Sequence, residues 1–221
     1  MVRSLQPGII INNRSALEED YDTPEGHVTP AAPDRYWEAC MTSNGSWGYM
    51  PSASRWVSAR DVVEMLRTAA AGRGNLLLNV GPAPDGSLPP QAEPLLDAVG
   101  RWVERSAEAV YGQTERTDRR LDWLPIGNWT IKGNNAYFWC SYWPGSELVI
   151  GALATPVRSV TLLSTGSKVT FEQVGRRLFL RDLPVESPDD IAGVAVFRLE
   201  FDSPPRQDRS YFWSEELTTA P

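Results

Sequence analysis

The chain has 221 residues, 42% hydrophobic and 22% charged, which suits one large or two small globular domains. A net charge of −7 argues against a nucleic-acid partner, which needs a basic face, and no apolar run approaches the roughly 20 residues of a membrane span. One histidine, His27, and two distant cysteines, Cys40 and Cys140, argue against a histidine triad, a multi-histidine metal site and a disulfide framework.

No charged-then-apolar leader opens the chain. It enters on a loop and the apolar run "GIIIN" (8–12), which predicts a buried strand with nothing before it to pack against. The chain therefore reads as one that begins in the middle of a fold. Arg14 follows that run. An arginine at a strand end can clamp a hydroxyl or orient a carboxylate by paired hydrogen bonds; an ion pair with Glu38 on the next strand is the structural alternative. The acidic loop "SALEEDYDTPEG" (15–26) is mostly solvated. Within it Glu25 differs, because Pro24 fixes the backbone before it and Gly26 allows a sharp exit. A constrained carboxylate near an arginine suits general acid/base work. His27 reads as an exposed loop histidine.

"RYWEAC" (35–40) predicts a second strand and "MTSNGSWGY" the loop beyond it. Cys40 has no basic neighbour in sequence and reads as a buried, inert thiol. Trp47 and Tyr49 can stack on a sugar ring or simply pack the loop. "SARDVVEMLRTAAAG" (58–72) predicts a helix capped by Ser58 with Asp61, its apolar stripe ending at Gly72, which suits the left-handed position after a helix. "NLLLNV" (75–80) reads as a parallel strand buried on both faces, and "GPAPDGS" (81–87) as a turn in which Asp85 plays its usual part. Leu95, Val99, Trp102, Val103 and Val110 mark a second helix ending near Gly112, with Pro94 confined to its first turn.

From about residue 121 the helical period vanishes. "WTIK", "AYFWCSYW", "ELVIGAL", "VRSVTLL", "KVTFEQV", "RLFLRDL" and "VAVFRLEF" are short β-rich runs at regular spacing, the pattern of an antiparallel sandwich. In the second run Tyr137, Trp139, Ser141 and Trp143 share one face, and Phe138, Cys140 and Tyr142 the other. Residues 204–221 read as a polar tail.

The strings "LQPGIIINNR", "DYDTPEG", "YWEACMTSNGSWGY" and "GRGNLLLNVGPAPDGSLP" stand in one order through residues 3–114. Together they resemble the later part of the α-L-fucosidases of glycoside hydrolase family twenty-nine. The resemblance implies an α/β plus all-β chain: residues 1–114 as the C-terminal part of a (β/α)8 TIM-like catalytic barrel, and residues 115–203 as an antiparallel β-sandwich. About 112 residues hold three or four strands, where a whole barrel takes roughly 250 residues. It implies Glu25 as general acid/base, Arg14 as a substrate contact, Glu38 as a strand-end pocket or support residue, and Trp47 facing the sugar's methyl group. The partners implied are fucosylated glycans or L-fucose, with no metal and no organic cofactor.

The family's nucleophile is an aspartate in a W-x-D strand end upstream of the "INNR" segment, and this chain holds no such string before Ile9; "LDWL" (121–124) has another order. The expectation is a retaining glycosidase chain with one of two catalytic carboxylates, inactive alone. The alternative is a non-catalytic carbohydrate-binding or structural remnant built on the sandwich, supported by Trp129, Trp139 and Trp143. A nucleotide-binding protein fails because "GRGN" lacks the spacing of a phosphate loop.

Overall fold

A computed structural model of the chain describes residues 1–117, 120–121 and 124–208. Its first part is a short parallel sheet with helices on one face. β1 (Tyr21–Asp22), β2 (Tyr36–Thr42) and β3 (Asn75–Asn79) lie side by side in that order. All pairings are parallel, with Tyr21 opposite Tyr36 and Glu38 opposite Asn75. α2 (Ala59–Ala71) joins β2 to β3, and α3 (Ala92–Val110) follows β3. A single helical turn, α1 (Val2–Leu5), occupies the start, where a loop was expected.

α2 begins as the sequence dictates. Ser58 accepts from the backbone of Asp61, and the Asp61 carboxylate accepts from the backbone and hydroxyl of Ser58. Its left-handed exit residue is not Gly72 but Arg73, at φ 58°. Gly72 and Gly74 serve packing instead. A Cβ on Gly74 would sit 2.1 Å from Trp37, and one on Gly72 2.6 Å from Pro30. The Trp37 indole fills that space and donates to the Gly72 carbonyl at 2.9 Å. "GRG" is thus a seat for a tryptophan.

Two strand expectations change. "GIIIN" forms no strand. Only Asn12 bridges to Tyr21, and Ile10 is exposed. The backbone here is satisfied by one residue: Ile11 N donates to the Asp20 carboxylate at 2.8 Å and its carbonyl accepts from Asp20 N at 2.9 Å. Nor is β3 buried on both faces. Leu76 and Leu78 face α2 and α3 across an apolar concavity shared with Val62 and Val103, whereas Leu77 on the other face is 43% exposed. Among the described residues no element covers that second face.

The second part is a two-sheet sandwich. β4 (Gly127–Lys132), β5 (Asn135–Cys140), β11 (Ala195–Phe201), β7 (Val157–Leu162) and β8 (Ser167–Lys168) form a five-stranded sheet. β6 (Leu148–Ile150), β10 (Arg177–Arg181) and β9 (Thr170–Val174) form a three-stranded one. All these pairs are antiparallel. Between the sheets lie Trp129, Phe138, Ile150, Leu178, Leu180 and Phe197, each fully buried. The run "KVTFEQV" is two strands. It bonds first to β7, then turns at Val169, whose N–H goes to Val160 at 3.0 Å, and continues in the other sheet as β9. Sandwiches commonly turn corners by such switches.

The five-stranded sheet is buried on both sides. Its outer face presents Tyr137, Trp139, Val194 and Val196 to Val63 of α2 and Trp102 of α3. Trp102 and Trp139 meet with ring centroids 5.1 Å apart, and the Trp102 indole donates to the Val194 carbonyl at 2.9 Å. The face expected for "AYFWCSYW" holds through Cys140 and breaks where β5 ends. Trp143 turns inward to stack on Phe197 at 5.7 Å, and Tyr142 is left exposed. Residues 206–208 bond along 152–154, and 209–221, the rest of the expected tail, lie outside the described residues. No helix among the described residues is long and apolar enough to cross a membrane.

Candidate active site

Residues 12–15 fold into a tight 3-10 turn over Asn13–Ser15. The Asn12 side chain caps it by accepting from Arg14 N at 3.1 Å, and Ala16 closes it in the left-handed region at φ 62°. The turn is clasped to the chain that follows β1. Asn13 Oδ1 accepts from both the N–H and the hydroxyl of Thr23, at 3.1 and 2.9 Å, and its Nδ2 donates to Asp22 at 3.2 Å. Arg35 holds the same Asp22 carboxylate at 2.7 Å.

This clasp aims Arg14. Its Nε donates to the Thr23 hydroxyl at 2.9 Å, and its Nη1 pairs with the Glu25 carboxylate. Glu25 is itself fixed by β2. Cys40 N donates to the Pro24 carbonyl and Gly26 N to the Cys40 carbonyl, both at 2.9 Å, so Glu25 lies opposite Cys40 in a parallel bridge. Residues paired in this way project to one face of a sheet. By alternation along β2, Glu38 shares that face with Cys40, while Trp37 and Ala39 face α2.

Three charges therefore converge on one half-buried thiol. Desolvation pushes the Cys40 pKa up, Glu25 and Glu38 add to the rise, and Arg14 opposes it. The thiol stays protonated, in keeping with an inert cysteine. Arg14 and Glu25 remain 47% and 41% exposed, so their ion pair adds little stability.

The expected residues fall as follows. Arg14 and Glu25 are in contact. The alternative pairing of Arg14 with Glu38 does not form, because the clasp at Thr23 turns the guanidinium to Glu25. Glu38 lies nearer the amino ends of the strands, in a concavity of about 650 Å³ with Tyr21, Tyr36 and Asn75. Trp47 stands beyond the carboxyl end of β2, 44% exposed, and its carbonyl accepts from Asn79 at 3.0 Å. Its ring makes no hydrogen bond to Arg14 or Glu25. The loops after β2 and β3 press together there: a Cβ on Gly81 would lie 2.5 Å from the Gly48 backbone. His27 pairs with its neighbour Thr29, at 2.9 Å, and Asp85 accepts from Ser87 within its turn.

Asn13 and Thr23 escaped the sequence reading. The signal was present in the doubled asparagine before Arg14 and the threonine of "TPE", but their partnership spans ten residues and becomes visible only when the loop closes.

A family model described as α-L-fucosidase matches residues 1–108. The tissue α-L-fucosidase of Bos taurus is 34% identical over 152 residues, covering 65% of this chain and 31% of its own. The solved α-L-fucosidase isoenzyme 1 of Paenibacillus thiaminolyticus superposes with a TM-score of 0.82 at 26% identity, over 92% of this chain and 52% of its own. Over the matched residues the chain is similar to the α-L-fucosidases. A further fucosidase, from Thermotoga maritima and solved in complex with fucose, aligns at a TM-score of 0.72 and 25% identity over 89% of this chain and 46% of its own. The chain spans about a third of the length of the curated fucosidases it matches and about half of those two solved ones.

Proposed function

We propose that the chain supplies the acid/base side of a retaining α-L-fucosidase site within a (β/α)8 barrel, acting on terminal α-L-fucose of fucosylated glycans. The observation that carries this reading is the Arg14–Glu25 pair. It holds a carboxylate at an open, ligand-accessible position on the sheet face opposite the helices. Residues 115–203 form the accompanying sandwich domain. The Thermotoga relative crystallised with fucose supports the sugar as partner.

In this mechanism a second carboxylate attacks the anomeric carbon, and Glu25 protonates the leaving glycosidic oxygen. Glu25 then takes a proton from water as it attacks the fucosyl-enzyme, releasing fucose with retained configuration. The two carboxyl groups of such a pair stand about 5–5.5 Å apart. Arg14 pairs with Glu25 while the site is empty. With sugar bound, its donors turn to ring hydroxyls and free the carboxyl group to take up its proton. Trp47 offers an apolar wall to the C6 methyl, and Glu38 supports the pocket from the strand below. The upstream nucleophile strand has no counterpart in the motifs of these 221 residues, so the chain contributes one catalytic carboxylate of two.

A graft tests the assignment. Residues 1–221 replace the matching part of the Paenibacillus enzyme, and aryl α-L-fucoside hydrolysis is followed. The graft is expected to turn over, and Glu25→Gln to lower kcat by about 10²–10⁴-fold on a poor leaving group, which needs the proton. On an activated aryl fucoside, whose phenolate leaves unprotonated, azide is expected to restore turnover by attacking the fucosyl-enzyme in place of water. A folded graft whose Glu25→Gln form keeps full activity would remove Glu25 from the mechanism. The reading of the sandwich as a glycan-binding remnant loses its support, because Trp129 and Trp139 are fully buried and Trp143 stacks on the core.

A further inference from the structure

The loop after β2 turns on Asn44, Gly45 and Ser46, and Asn44 is the only asparagine in the sequence that a glycine follows. A backbone nitrogen placed after an asparagine can attack the side-chain amide before it, provided that the nitrogen is unhindered and the amide is held within reach.

The nitrogen is unhindered here. Gly45 is exposed and sits at φ 80°, and even an added Cβ would meet no atom within 4 Å. Its N–H donates to the Thr42 hydroxyl at 3.0 Å, so the proton that the nitrogen must shed already points at an oxygen. The amide is held as well. Asn44 Oδ1 accepts from Ser46 N at 3.1 Å. This bond folds the side chain back along its own backbone, across the Gly45 peptide. It also aims a donor at the oxygen that takes up negative charge when a nucleophile adds to Cγ.

The same turn recurs at Asp85, Gly86 and Ser87. Asp85 accepts from the Ser87 hydroxyl and N–H, at 2.7 and 3.0 Å, and Gly86 sits at φ 86°. Those two bonds hold the Asp85 carboxyl below the usual carboxylate range. An ionised carboxylate resists a nucleophile, whereas the Asn44 amide is neutral.

We propose that Asn44 is a spontaneous modification site: in the folded chain it loses ammonia to form a cyclic imide with Gly45, which water opens to isoaspartate and aspartate. Hydroxide takes the Gly45 amide proton and the nitrogen bonds to Cγ. The Cγ–Nδ2 bond breaks, and Nδ2 leaves as ammonia with a proton from water. Water then adds to one imide carbonyl. Cleavage at the former peptide carbonyl gives isoaspartate, and cleavage at Cγ gives aspartate.

Isoaspartate routes the backbone through Cβ, which adds one carbon to the chain and leaves a carboxylate beside it. The loop is pinned at both ends. Ser43 N donates to Asn79 O at 3.1 Å, Ser43 O accepts from Val57 N at 2.9 Å, and Trp47 O accepts from Asn79 Nδ2 at 3.0 Å. The turn that leads to Trp47 must take up the added carbon. An effect on the sugar pocket rests on the reading of Trp47 as its apolar wall; the modification itself does not.

The test is peptide mapping by mass spectrometry of the full chain, kept folded or in guanidinium chloride in the same mildly alkaline buffer, with isoaspartate distinguished by fragmentation. When half of the unfolded chain has converted at Asn44, the folded chain is expected to show Asn44 as its first converted asparagine. Isoaspartate should be among its products, and Asp85 should be unchanged. Asn44→Gln is expected to abolish conversion at this position, because its longer side chain must close a larger ring. The proposal would be overturned by an Asn44 that stays intact in the folded chain, alone or in both samples, or by another asparagine that converts first. Aspartate without isoaspartate, an Asp85 that isomerises as fast, or an Asn44→Gln chain that converts as readily would overturn it too.

Discussion

At the scale of single residues, Glu25 is placed by backbone and aimed by side chains. Pro24 and Gly26 lend their carbonyl and amide to Cys40, and Arg14 reaches the carboxylate through a turn that Asn13 and Thr23 lock. The special position of Glu25 was legible in Pro-Glu-Gly, because those neighbours restrict the backbone locally. The partner of Arg14 was not legible. Glu25 and Glu38 were both within reach on sequence, and the Thr23 hydroxyl decides between them. In the Paenibacillus graft, Thr23→Val is therefore expected to lower activity several-fold by releasing the guanidinium, while circular dichroism stays unchanged. Unaltered kinetics would show that the clasp has no part in aiming Arg14.

A second prediction at this scale concerns alkaline pH. Burial pushes the Tyr137 phenol from 10.0 up to about 12, helped by the nearby Glu108 carboxylate. Burial also pushes the Cys140 thiol from 9.0 up to about 12, with a backbone hydrogen bond at Tyr142 opposing the rise. Both groups are raised in the folded state, so their contribution is complete below the unfolded values. It is lost as pH climbs towards the folded ones. Urea midpoints should fall between pH 9 and pH 12, and Cys140→Ala should flatten the early part of that fall. A midpoint independent of pH across this range would contradict it.

At the scale of elements, the helices and most strands follow from period and capping. Those signals are local, and α2 and α3 appear where they point. "GIIIN" misleads because apolar character alone makes no strand. A strand needs a partner ladder, and here Asp20 satisfies the backbone instead. "KVTFEQV" misleads in another way: one β-rich run serves two sheets, a choice made by the packing on either side of Val169. The glycines of "GRG" are legible only once Trp37 is in place. Gly74→Ala forces a methyl into the indole, and overpacking of this kind costs about 1–3 kcal/mol, readable as a lowered chemical midpoint. Ser58→Ala removes the cap of α2 at about 1 kcal/mol. If Gly74→Ala proves neutral, the close approach of Trp37 is wrong.

At the scale of the whole molecule, the outer face of the five-stranded sheet decides the behaviour. Tyr137, Trp139, Val194 and Val196 are core only because α2 and α3 cover them. Arg60 of α2 adds a polar clamp, donating to the Ser141 and Gly193 carbonyls. Residues 113–221 expressed alone would leave that face open, an apolar patch of the kind that drives aggregation. Light scattering should show the fragment self-associating more strongly than the whole chain. Sequence reading found the sandwich but not its second covered face. Alternation in "AYFWCSYW" distinguishes two faces and says nothing of what lies against each.

The proposed function rests on a division of labour in which Glu25 serves as one catalytic carboxylate and the other lies outside these 221 residues. Hydrolysis of an aryl α-L-fucoside by the purified 221-residue chain tests this most directly. The account predicts no release of the phenol above the uncatalysed background. Release at enzymatic rates that Glu25→Gln abolishes would contradict it, because the nucleophile would then have to lie within this chain.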